Sequence, residues 1–146
     1  MAQNTAPIFP LVPVTTIVGG AAANAATPGV TANNTYDLTT GTSFLTFTSN
    51  ATNGSRLDFI KVRALGTNVQ TVMRVFINNG STTATAANNA LYLERTLSST
   101  TASASSETPD NAVSMNISLS PGYRVYATFG TAVAAGFHLT AVGGDY

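Results

Sequence analysis

The chain is short of charge. Six Lys and Arg and six Asp and Glu make 8% of its 146 residues, and the net charge is zero. A soluble domain ordinarily carries about 25% charged residues. The surface must therefore be built from Thr, Ser, Asn, Gly and Ala, with little electrostatic protection against association. Such a surface suits a protein that works docked in an assembly, and equally a β domain with an uncharged surface. With no basic patch, nucleic acid is a poor partner. Cysteine is absent, which excludes disulfides and thiolate metal sites. Tryptophan, the best sugar-stacking residue, is absent too. No stretch approaches the ~20 apolar residues of a spanning helix, so no membrane partner is expected. The N-terminus lacks a basic region before an apolar core and does not read as a secretory signal. No amphipathic helix is evident.

What is present is strand chemistry, densest in residues 55–80, which hold four of the six basic side chains. One strand runs through Leu57, Phe59, Ile60 and Val62. A second runs through Val69, Val72, Val75, Phe76 and Ile77. Gly66-Thr67-Asn68 links them, and Asn79-Gly80 ends the second with a turn dipeptide. Along the first strand the phase of alternation slips after Phe59, which predicts a β-bulge near Phe59-Ile60. The second is apolar on both sides, Arg74 excepted. Such a strand is central, or one face meets another chain, so Val72 and Phe76 are candidate partner contacts.

Elsewhere the pattern gives short strands at Val14–Val18, Tyr36–Leu38 and Ser43–Thr48. Further strands fall at Ala90–Leu97, Ala112–Leu119, Tyr123–Phe129 and Val133–Ala141. In the strand Ala90–Leu97, Leu91, Leu93 and Leu97 point inward, and Arg95 shares their parity. Ala112–Leu119 alternates without a fault. Residues 80–89 and 98–111 are polar loops, the first expected to be mobile. About eight strands without a helix predict an all-β, two-sheet antiparallel sandwich. The long loops suit crossings between sheets, which favours a jelly roll. Met115, Ile117, Leu57, Phe59, Val75, Val125, Phe137 and Leu139 are the expected core. Residues 1–34 read as an extended N-terminal arm and loop, and 35–146 as a single sandwich domain. Pro7, Pro10 and Pro13 hold the arm extended. Its apolar side chains Ile8, Phe9, Leu11 and Val12 need cover, from their own domain or from a neighbouring subunit.

Catalytic chemistry is poorly supplied, and the chain reads as a non-enzyme. His138 is the only histidine. No thiol exists for it to activate, and no further nitrogen or sulfur ligand exists for zinc. Asp58 and Glu94 each have an arginine close in sequence, so ion pairing on a sheet face is their expected use. Glu107 and Asp110 match no calcium-loop spacing. Tyr36, Tyr92, Tyr126 and Tyr146 could stack on a sugar, but nothing in their spacing selects them. No catalytic, metal or cofactor site is assigned.

Several segments carry a resemblance. They are G-S-R-L-D-F-I-K-V-R-A-L-G-T-N from Gly54, V-M-R-V-F-I-N-N-G from Val72, L-Y-L-E-R-T-L from Leu91, L-S-P-G-Y-R-V from Leu119, and A-V-G-G-D-Y from Ala141. With the opening N-T-A-P-I-F, they resemble small virion proteins of tailed bacteriophages, akin to capsid decoration or cement proteins. The resemblance covers most of the chain from residue 50 on. It implies a β-sandwich on the outside of the head, usually a homotrimer, made in the host cytoplasm and clamping the major capsid protein lattice. A tail or baseplate component, or a carbohydrate-binding head fibre, are the alternatives.

Overall fold

A computed structural model describes residues 10–18 and 32–146. Eight strands follow in order: β1 (Val12–Val18), β2 (Phe44–Thr48), β3 (Ser55–Ala64), β4 (Thr71–Asn78), β5 (Asn89–Leu97), β6 (Asn111–Leu119), β7 (Arg124–Phe129) and β8 (Phe137–Asp145). They form two antiparallel four-stranded sheets, ordered β1-β8-β3-β6 and β2-β7-β4-β5. That order is the eight-stranded jelly roll expected from the sequence. Only the β4–β5 connection stays within one sheet, so residues 79–88 close a hairpin and do not cross. Of the two long polar loops, 98–110, between β5 and β6, is the one that crosses.

The core lies between the sheets. Leu57, Ile60 and Val62 of β3 and Leu139 of β8 meet Met73 and Val75 of β4 and Val125 of β7. At one end Phe129 stacks on Phe137 at 5.3 Å and meets Phe44 edge-on at 6.1 Å, which ties the two sheets together. Such aromatic pairs contribute roughly 0.5–1.5 kcal/mol beyond their buried area.

The bulge in β3 is present, one residue earlier than expected. Asp58 is the extra residue, between the pairs Leu57↔Gly143 and Phe59↔Val142. Phe59 therefore turns to the outer face and is only half-buried, while Ile60 takes the core position. Beside the bulge, Gly143 of β8 passes so close to β3 that a Cβ there would collide with the Arg56 carbonyl oxygen. Ile117, also expected in the core, is half-buried and packs against its margin. A second bulge, in β5 opposite Val75 and Phe76, moves Leu91 to the outer face, so only Leu93 and Leu97 face inward. Arg95 is exposed on this edge strand.

Three further expectations are corrected. Residues 36–38 form no strand. They belong to a strap, 33–42, across the outer face of the second sheet. The last strand begins at Phe137 and runs on to Asp145, taking in Gly143 and Gly144, which carry no side chain to disrupt the register with β1 and β3. The division at residue 35 cuts through the sandwich, because β1 pairs with β8 over seven consecutive residues.

Candidate partner-binding surface

Each sheet has two edges, and three of the four are blunted in ways that discourage pairing with another chain. β2 is five residues long and bulged. β5 carries Glu94 and Arg95 and is bulged. β6 is broken in register, with Asn116 at φ 49°. β1 differs. Its seven residues, VPVTTIV, contain no charge, and its register with β8 has no break. Its other edge has no strand beside it among the described residues. Alternation sets its faces: Val14 and Val18 pack on the core, while Ile17 is 70% exposed. Leu11, whose N–H donates to the Asp145 carbonyl at 2.6 Å, is 80% exposed, and Val12 is 57% exposed.

Leu11 and Val12 thus lie together on one exposed apolar edge. Ile8 and Phe9 lie outside the described residues. Val72 and Phe76 are in β4, in the other sheet. Val72 is half-buried, and Phe76 is 0% exposed, so Phe76 cannot contact a partner on this surface. The chain itself supplies the cover that its second apolar face demands. The strap 33–42 is tied to β7 by the Asn33 N–H donating to Phe129 O at 2.8 Å, and to β5 by Asn89 Nδ2 donating to Asp37 O at 2.8 Å. Between them Arg74 of β4, 7% exposed, donates to Glu94 Oε1 at 2.8 Å, Asn33 O at 3.1 Å and Tyr36 Oη at 3.1 Å. Its guanidinium also sits 4.4 Å from the Tyr36 ring centroid. All three sites around the planar fork are used, which a lysine could not match. Asn33 and Asp37 each accept N–H and hydroxyl hydrogen bonds from the Thr two residues on, forming turns within the strap. The Thr39 N–H and hydroxyl hold the Asp37 carboxyl below its ordinary value.

The outer face of the first sheet has no such cover among the described residues. Arg56 pairs with Asp58 at 2.7 Å, and Asp110 meets Lys61 at 3.0 Å and Arg63 at 3.7 Å. Hydrogen bonding to Asp58 raises Arg56, and the bond from Lys61 lowers Asp110. Glu94 is therefore paired with Arg74 across strands and not with its neighbour Arg95. Open clefts lie among the described residues. One, of about 500 Å³, is lined by Asn53, Arg56, Ser118 and Tyr146. Another, of about 260 Å³, has Tyr123 and Asn88 among its walls. Among the described residues no three His, Asp or Glu side chains come together to hold a metal ion. No helix there is long and apolar enough to cross a membrane.

Comparisons with protein families, with curated proteins and with solved structures find no match for this chain.

Proposed function

We propose that this chain is a structural protein of a tailed-bacteriophage virion, a decoration protein that binds the outside of the head and braces the major capsid protein lattice. The reading rests on the resemblance of the segments from residue 50 on. One structural observation supports its docking mode: an uncharged, unbroken edge strand with Leu11, Val12 and Ile17 exposed. An edge of this kind presents unpaired N–H and C=O groups alongside apolar side chains, which is the chemistry of strand addition. The jelly roll is compatible, being common in viral coat domains, although the fold also serves other functions.

In this reading the arm, residues 1–11, and the edge of β1 act together as the anchor, set on the capsid or on the next copy in a trimer, and the rest of the sandwich is the body they hold. Burial of apolar side chains at about 1.5–3 kcal/mol each is ample for a specific contact, even after ordering costs. The test is deletion of residues 2–11, followed by binding to heads of the parent phage that lack the protein. The truncated chain is expected to stay soluble, to melt cooperatively and to lose head binding. Unchanged affinity for such heads would sink the anchor, and absence of the protein from purified virions would sink the functional reading as a whole.

A further inference from the structure

The chain contains two Asn-Gly pairs in turns, Asn53-Gly54 and Asn79-Gly80, and the fold treats them differently. Asparagine before glycine is chemically labile. The backbone nitrogen of the glycine, unhindered by a side chain, attacks the asparagine Cγ, and ammonia leaves as a five-membered imide closes. Water then opens the imide at either carbonyl, leaving aspartate or, with the chain rerouted through the side chain, isoaspartate. Ring closure needs a side chain free to swing onto the glycine nitrogen.

Asn79 is held at both ends of its amide. Its Oδ1 accepts from the Ser81 N–H at 3.1 Å, and its Nδ2 donates to Asn88 Oδ1 at 3.1 Å. The attacking nitrogen is occupied as well, donating to Asn78 Oδ1 at 2.9 Å. The β4–β5 hairpin is stitched further by Asn88 Nδ2 to Thr82 O and Asn89 Nδ2 to Thr83 O, both short. Asn53 is exposed, and its side-chain amide makes no hydrogen bond with the described residues. Its backbone is held by Asn50, whose Oδ1 accepts from the N–H groups of Thr52 and Asn53. The Gly54 N–H donates to Asn50 O at 3.2 Å, a long bond. Gly54 has φ +79°, and a Cβ there would collide with the Leu119 carbonyl. The glycine that makes the site labile is therefore required by the turn.

We propose that Asn53 is a site of spontaneous deamidation in the folded protein and that Asn79 is protected by its hydrogen bonds. The product places a new carboxylate in the cleft with Arg56, Ser118 and Tyr146. It does so at the end of the sandwich where Asn50 and Leu11 both reach Asp145.

The test is peptide mapping by mass spectrometry, with isoaspartate detection, of the full chain aged in mildly alkaline buffer. Giving up the two side-chain hydrogen bonds of Asn79 predicts native conversion at Asn53 faster by about tenfold. In denaturant, where both pairs are plain Asn-Gly, the two rates should converge. In Asn53→Gln the early acidic product should disappear. Native conversion at Asn79 as fast as at Asn53, or an unchanged acidic product in Asn53→Gln, would overturn the proposal.

Discussion

The two sheets finish their outer faces in opposite ways. On the second sheet the strap 33–42 is bonded to Arg74, which is withdrawn from water while its ion-pair partner Glu94 stays partly exposed, and Phe76 on the same strand is fully buried. On the first sheet Arg56, Lys61 and Arg63 form their ion pairs at the surface, and the apolar exposure is pushed to the edge at Leu11, Val12 and Ile17. An apolar second face on a strand thus need not mean a partner chain, because a few residues of the same chain can cover it. At the β1 edge, among the described residues, no segment supplies such cover and the strand itself carries no charge.

That contrast can be broken by substitution. The largest effect is expected in β4: Phe76→Ala should cost about 3–5 kcal/mol of stability, as for a core phenylalanine. A loss below ~1 kcal/mol in denaturant titration would show that this side chain is not buried. In β3 the bulge makes a sharper comparison. Ile60→Ala should cost roughly 2–5 kcal/mol, and Phe59→Ala clearly less, because Asp58 has shifted Phe59 outward. The reverse order would put the bulge elsewhere. Arg74→Ala strips charged hydrogen bonds from Glu94, Asn33 and Tyr36, at about 1.5–3 kcal/mol. Glu94 is partly exposed, so rehydration limits the loss. On the first sheet, Asp110→Asn should leave the thermal midpoint within error, since exposed pairs contribute little.

The smallest effect is that of pH on the strap. The Asp37 carboxyl lies below its ordinary value of 3.8 when folded. Its contribution is therefore present above that value and is lost as pH falls through the lower, folded one. Hydrogen exchange at Thr39 should rise only in that acid range, and Asp37→Asn should flatten the rise.

Much of the fold was legible. The clean alternation of Ala112–Leu119 and the phase slip near Phe59 reflect a period of two that the sheet faces enforce. The position of the bulge was not, because Leu57-Asp58-Phe59 alternates perfectly until a neighbouring strand fixes the register. The strap was missed for a related reason. Tyr36 and Leu38 alternate like a strand, but Leu38 sits at φ 64° and the local bonds come from the Asn33 and Asp37 side chains. Of the proposed contacts, Leu11 and Val12 are exposed on the edge. Phe76 was misread because an apolar position in sequence does not say who covers it.

The most direct test of the docking edge is Ile17→Lys. The side chain is exposed, so the folded monomer should melt as the parent does, within about 0.5 kcal/mol. A charge on this edge should nevertheless abolish co-sedimentation with phage heads that lack the protein. Wild-type co-sedimentation by Ile17→Lys, at equal stability, would contradict the account.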